Sequence, residues 1–438
     1  MKSMVYSGVV GLLLGALPAL ADLPAPLTEA DFRPVNEAEA RLGQLLFYDP
    51  ILSGNRNISC ATCHHPRFGT SDGVSLSLGE GGIGLGPERH ADPDNLPEER
   101  IPRNAPALWN LGAHDFTVLF HDGRIEADAS RPGGIRTPLG PEMTAGFSGV
   151  LSAQTMFPVL SQDEMAGHYS ENDISKAVRR GVITGPGGAW DLISQRVRDS
   201  PDYARMFAQV YPEIAAGREI GFTDISNAIA VFMEFEWRSD DSPFDAFLRG
   251  QGNLPAQAAK GMDLFYGEAQ CSTCHAGPFQ TDHSFHAMGA SQLGPGKVAR
   301  FEDHARDEGR FRVTGDPRDL YRFRTPSLRN VALTAPYGHA GAHRDLTAFL
   351  QVHTGGQPIY DRAQALLPEL PGAEDWRILD DPEATKAVIA AYEGPKVTLN
   401  AEDISAIGAF LDTLTGATAQ IGRLGVPDSV PSGLTVDK

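Results

Sequence analysis

Apolar residues recur at helical spacing along most of the chain, and nowhere do they alternate with polar residues over a long run. The pattern predicts helices over 40–48, 173–182, 189–211, 223–237, 258–266, 345–353 and 401–414. Ser170 or Asn172 can cap the second of these; Asn400 with Asp403 can open the last, which Gly416 ends. Between them lie long irregular segments, among them the glycine-rich run 79–86. The expected fold is therefore mainly α with long irregular loops. One stretch breaks the pattern: residues 8–17 are continuously apolar, Lys2 is the only charge before Asp22, and Ala19-Leu20-Ala21 offers a small-residue cleavage site. This reads as a secretory signal peptide over 1–21, cleaved after about Ala21, because its apolar run falls well short of the ~20 residues a membrane helix needs. An exported chain with no stable membrane insertion is expected.

Composition narrows the partners. The chain has 438 residues, 41% hydrophobic and 21% charged, enough apolar content for folded cores of two or three domains. Its 37 basic against 56 acidic residues leave a net charge of −19. A nucleic-acid binder needs a basic face, and this balance argues against one; an acidic surface suits a basic soluble partner.

The four cysteines decide the chemistry. Cys60-Ala-Thr-Cys63-His64 and Cys271-Ser-Thr-Cys274-His275 use every cysteine, and each pair is followed directly by histidine. In the C-x-x-C-H pattern two thiols add to the vinyl groups of haem c, and the adjoining imidazole becomes an axial ligand of the iron. Two disulfides would not need that spacing, and a zinc ribbon would hold its pairs much closer in sequence. Two covalent haems follow, with Cys60, Cys63, Cys271 and Cys274 as attachment points and His64 and His275 as proximal ligands.

Longer patterns repeat around the two sites. Ala40-Arg-Leu-Gly43-Gln-Leu-Leu46-Phe47-Tyr48 precedes the first and Ala258-Ala-Lys-Gly261-Met-Asp-Leu264-Phe265-Tyr266 the second. Downstream, Pro106-Ala-Leu108-Trp-Asn110 and His121-Asp-Gly123 are echoed by Pro326-Ser-Leu328-Arg-Asn330 and His339-Ala-Gly341. Features in one order around each haem imply two related class I cytochrome c-like domains, 22–250 and 251–438, with the breaker-rich stretch 242–255 at the junction.

With these motifs the sequence closely resembles the bacterial di-haem cytochrome c peroxidases, including the MauG group. The resemblance rests on C-x-x-C-H, Arg103-Asn104-Ala-Pro106, Phe120-His-Asp-Gly-Arg124, Gln154-x-x-x-Pro158 with Glu164-Met165, Arg324-Thr-Pro-Ser-Leu-Arg-Asn330 and Thr334-Ala-Pro336-Tyr337-Gly-His339. It implies a peroxidatic haem in the N-terminal domain, an electron-transfer haem in the C-terminal one and a calcium ion between them. Glu164 matches the family's distal acid/base carboxylate, Gln154 a distal-pocket residue and Pro158 the proline of the same wall; Glu142-Met143 is a rival pair without that spacing. Asn104 matches the calcium side-chain ligand, with Thr334 and Pro336 offering backbone oxygens.

Three departures stand out. Where the family's second haem takes Met or Tyr, this chain has His353, which implies bis-histidine ligation by His275 and His353, with Met288 and Met262 as rivals. The tryptophan between the haems is replaced by His121, with Trp109 close by as a substitute. Residues 66–89 contain no histidine to block the first iron, and His90 is the first beyond His65. An open first haem is expected. The insertion over 125–150 suggests a partner-docking or pocket-covering loop.

The resemblance implies a periplasmic peroxidase that reduces hydrogen peroxide with electrons from a small redox protein, a cytochrome c or a cupredoxin; a homodimer is compatible with it. The alternatives are a MauG-like enzyme that oxidises side chains of a partner protein and a non-enzymatic di-haem electron carrier.

Overall fold

A computed structural model describes residues 23–299, 301–355 and 360–438, so the expected signal segment lies outside the described residues. The fold is mostly helical, with strands of only two or three residues. Two helix pairs organise it. Glu37–Tyr48 crosses Phe222–Glu236, and Ala256–Tyr266 crosses Ala401–Asp412. The crossings are built alike: a β carbon on Gly43 would overlap the Ala228 carbonyl, and one on Gly261 would overlap the Ala406 carbonyl. The repeated glycine of the sequence pattern is thus the residue that lets two backbones touch.

Each crossing seeds its own apolar core. Leu42, Leu46, Phe47, Ile229 and Phe232 belong to the first, and Phe265, Ile407, Phe410 and Leu411 to the second. Chain order does not fully separate them. The last residues return to the first core, where Ala419, Val430 and Val436 are buried, Ser432 Oγ donates to Asp49 at 2.6 Å, and Glu236 accepts from the backbone of Arg423, Leu424 and Gly425.

Local chemistry explains the helix limits. Asn172, not Ser170, caps Asp173–Arg179 by accepting from Ser175 N–H at 2.8 Å, and Asn400 caps Ala401–Asp412. The expected helix over 189–211 is two helices, Ala189–Arg198 and Pro201–Val210. Pro201 has no N–H to donate and crowds the residue before it, so the apolar period runs on while the backbone turns. The segment 125–150 contributes two strands to a small antiparallel sheet, with Val118 opposite Glu126 and Glu126 opposite Arg136, and buries Ile125, Ile135 and Met143 in the first core.

Buried ion pairs tie the halves together. Arg103 donates to both oxygens of Asp307 at 2.6 and 2.8 Å and to Asp122 at 2.7 Å. Burial alone would raise the Asp307 carboxyl, but the Arg103 guanidinium holds it down at about 2. Arg329 and Asp245 pair at 2.7 Å with neither side chain exposed. Removing one partner of such a pair leaves an uncompensated charge and costs about 3–5 kcal/mol.

Candidate functional site: two adjoining haem cavities

The two C-x-x-C-H segments occupy equivalent places after the first helix of each crossing. Cys60–Cys63 is one helical turn and Cys271–Thr273 a tighter one. His64 N–H donates to the Cys60 carbonyl at 3.0 Å and His275 N–H to the Cys271 carbonyl at 2.9 Å. Each ring then anchors its Nδ1 on a backbone carbonyl, His64 on Thr70 and His275 on Gln280, both at 3.0 Å. That bond places the proton on Nδ1 and leaves Nε2 as the basic nitrogen, the tautomer a metal requires. Burial lowers the proton affinity of both rings and pushes the Cys60 and Cys271 thiols up to about 12. Neutral sulfurs in an apolar wall suit thioethers, not a thiolate metal site. No disulfide joins them.

Beside each segment opens a cavity, and the two adjoin. Asn104, Pro106, Leu111, His121 and Arg324 line both. His121 therefore stands between the sites. Its Nε2 meets the Asn104 carbonyl at 3.1 Å, and burial, reinforced by the Arg103 charge, lowers the imidazole to about 3. Trp109 lines only the second cavity, where its Nε1–H is buried without a partner among the described residues.

In the first cavity the wall is polar. Gln154 ends the helix Val150–Gln154 and Pro158 starts the next turn, and both line the cavity with Glu164. Glu164 sits on a single π turn, Gln162–Ala166, closed by Ala166 N–H donating to the Ser161 carbonyl at 2.8 Å. Such turns recur at functional sites because they re-aim a side chain. Burial raises the Glu164 carboxyl, while the charges of Lys297 and Arg124 oppose the rise. Lys297 lines this cavity although it comes from the other half of the chain. Sequence reading missed it, since a lone lysine in a Gly-Pro-Gly loop carries no motif. Glu142 is exposed on the turn Pro141–Met143 and does not line the cavity. Nor does His90, whose exposed ring meets the Glu88 carbonyl.

The second cavity is closed by an imidazole. His353, on the helix Leu346–Gly355, faces His275 with ring centres 6.2 Å apart and planes tilted by 51°. Two metal–imidazole bonds of about 2.0–2.1 Å, plus about 1 Å from each nitrogen to its ring centre, span that separation. Phe349 stacks on His353 with centres 5.2 Å apart, and burial followed by the nearby His275 lowers His353 to about 4, so the ring is neutral. Met288 also lines this cavity, whereas Met262 is buried in its helix away from it. Asn104, Thr334 and Pro336 line the cavity too; the Asn104 amide nitrogen donates to the Val74 carbonyl at 2.8 Å.

Comparisons with known proteins agree with this architecture. The family model described as di-haem cytochrome c peroxidase matches residues 37–253. The chain is 29% identical to the cytochrome c551 peroxidase of Pseudomonas aeruginosa over 73% of its length and 72% of that protein. It is also 29% identical to the methylamine utilization protein MauG of Paracoccus denitrificans, over 92% of this chain and 95% of that one. Among solved structures, a MauG-like protein associated with microbial copper homeostasis superposes with a TM-score of 0.59 at 27% identity, covering 92% of this chain and 96% of that one. The chain belongs to the family of di-haem cytochrome c peroxidases that includes MauG.

Proposed function

We propose that the protein is a periplasmic peroxidase that reduces hydrogen peroxide at the first site with electrons delivered through the second. The observation that carries this reading is the asymmetry of the two cavities: Glu164 and Gln154 line the His64 cavity, where the one other imidazole among the described residues, His121, is bonded to the Asn104 carbonyl, whereas His353 faces His275 in the other. Haem held by His64 would supply the redox centre at which the O–O bond breaks. Glu164 takes the proton from one peroxide oxygen and returns it to the other, a role worth about 10²–10⁴ in rate. Gln154 orients the bound peroxide from the same wall. Residues 66–89 contain no histidine, so they offer no imidazole that would block a haem held by His64.

Cys271 and Cys274 would attach the second haem and His275 and His353 would hold its iron; that group would supply a one-electron relay from a small cytochrome c or cupredoxin. His121 and the shared wall form the short path between the sites. Calcium at Asn104, with the Thr334 and Pro336 carbonyls, would stiffen that wall. No helix among the described residues is long and apolar enough to cross a membrane, in keeping with an exported enzyme. The domains are proposed as 22–250 and 251–438, with the tail from 417 onward serving the first core.

A second reading has its own support. The likeness to MauG extends over nearly the full length of both chains, and a MauG-like enzyme would direct the same oxidising power at a partner protein's side chains. Steady-state peroxide consumption by the di-haem protein with reduced cytochrome c separates the two. Fast turnover is expected; negligible turnover with a long-lived oxidised haem state would favour the tailoring enzyme. A pure electron carrier has no use for the carboxylate in the first cavity.

A further inference from the structure

Outside the haem cavities, Asp49, Asp72, Glu80 and Glu236 are buried carboxylates with no ion pair among the described residues, and Glu80 is set apart by a ring of asparagine amides. Glu80 has no exposed surface, yet it forms no ion pair among the described residues. Three asparagine amides crowd onto its Oε1, from Asn55 at 2.9 Å, Asn57 at 2.8 Å and Asn95 at 3.1 Å, while its Oε2 is buried with no partner among the described residues. Arg89, whose charge Glu80 feels, spends its three side-chain nitrogens on the carbonyls of Leu78, Gly79 and Gly84. A second carboxylate, Glu171, meets the same Asn55 amide nitrogen from the exposed rim. Two carboxylates thus share one amide donor, and neither forms an ion pair among the described residues. A buried charge left in that state is costly.

We infer that Glu80, Glu171, Asn57 and Asn95 form a binding site for a divalent cation, calcium by its chemistry, separate from the Asn104 position. All the ligands are oxygen donors or become so. Among the described residues the Asn57 and Asn95 amides bond only to Glu80, so a half-turn of each amide presents Oδ1 in place of the nitrogen. Asn55 is different: its Oδ1 accepts from Asn172 at 3.0 Å, and Asn172 in turn caps a helix, so Asn55 keeps its nitrogen toward the carboxylates. Two carboxylates, two amide oxygens and water from the open rim reach the six to eight oxygens, at about 2.3–2.6 Å, that calcium takes. Magnesium, which demands a stricter octahedron, suits a ring of flexible amides less well.

The placement gives the ion a task. Asn57 lies three residues before Cys60, Glu80 N–H donates to the Asp163 carbonyl at 2.9 Å, and Gly54 N–H donates to the Met165 carbonyl at 2.8 Å. The cation would join the segment leading into the first attachment site to the backbone on either side of Glu164 within the π turn. It would order that turn from outside the cavity.

The test uses the di-haem protein, freed of metal with a chelator and titrated with calcium chloride by calorimetry and elemental analysis. Wild type should bind one tight calcium more than Glu80→Gln, and Asn104→Ala should retain this ion. Because Glu80 is buried and its variant can fail to fold, Glu171→Gln at the exposed rim is the second arm: calcium affinity at this site should fall at least tenfold with haem content unchanged. Equimolar magnesium should not displace the ion. The inference is overturned if Glu171→Gln binds calcium with wild-type number and affinity, or if Asn104→Ala binds none. Neither readout depends on peroxide turnover, so the outcome is independent of the proposed activity.

Discussion

The two halves make the same scaffold and then part company at one position. Both cross two helices at a glycine, both follow the first helix with a C-x-x-C-H turn, and both anchor the histidine Nδ1 on a backbone carbonyl at 3.0 Å. What differs is the group across the cavity. In the second half an imidazole stands 6.2 Å from His275, ring centre to ring centre; in the first a carboxylate, an amide and a lysine line the wall. One scaffold therefore holds a cavity walled by a carboxylate, an amide and a lysine and a cavity in which two imidazoles face each other. On the proposed reading, a repeated scaffold would serve two functions by changing what faces each haem, not what holds it.

The largest test of that comparison is Glu164→Gln. The amide keeps the shape but cannot accept a proton, so peroxide reduction should fall about 10²–10⁴-fold with both haems attached. Near-normal turnover would remove Glu164 from the mechanism, and Glu142→Gln, exposed and outside the cavity, serves as its inert control. His353→Met probes the other half. A second imidazole should give a low-spin ferric spectrum without the methionine-to-iron band and a potential well below that of a His/Met haem. The variant should gain the band and rise in potential; a methionine band already present in wild type would hand the ligand to Met288.

Gly43→Ala and Gly261→Ala ask whether the crossings are equivalent. Each adds a methyl against a backbone carbonyl, and overpacking of this kind costs about 1–3 kcal/mol. Denaturant unfolding of the two holoproteins should show similar losses; a loss confined to one would mean the halves are not supported alike. Lys297→Met should have the smallest effect. Burial raises the Glu164 carboxyl, and Lys297 is the first of the charges that oppose the rise. Without it the carboxyl rises further. Since Glu164 accepts a proton only when ionised, activity is lost as pH falls through its pKa, and the acid limb of the pH–rate profile should move to higher pH. Lys297→Arg should restore it, and an unmoved limb would show that Lys297 does not act on Glu164.

Short-range features were legible in the chain because their chemistry is local. The C-x-x-C-H turns, the caps at Asn172 and Asn400, and the repeated glycine of the first helix in each half depend on residues a few positions apart. Even there, apolar period alone read 189–211 as one helix, since a hydrophobic stripe continues across a break that Pro201 makes in the backbone. The resemblance placed Glu164 and His353, and the structure brings each to a cavity wall that sequence spacing could not have drawn.

What the sequence determined by itself was the pair of C-x-x-C-H turns, the glycine-bearing helix before each and the helical class, each written in local spacing. Tertiary structure alone decided which groups meet across long separations. It brought Lys297 into the first cavity, set His121 in a wall common to both, returned the C-terminal tail to the first core and gathered Glu80 with asparagines from two separate loops. Such meetings follow from how the crossings pack and where the loops between them are pinned, and charge or shape complementarity at a distance leaves no period or motif in the chain.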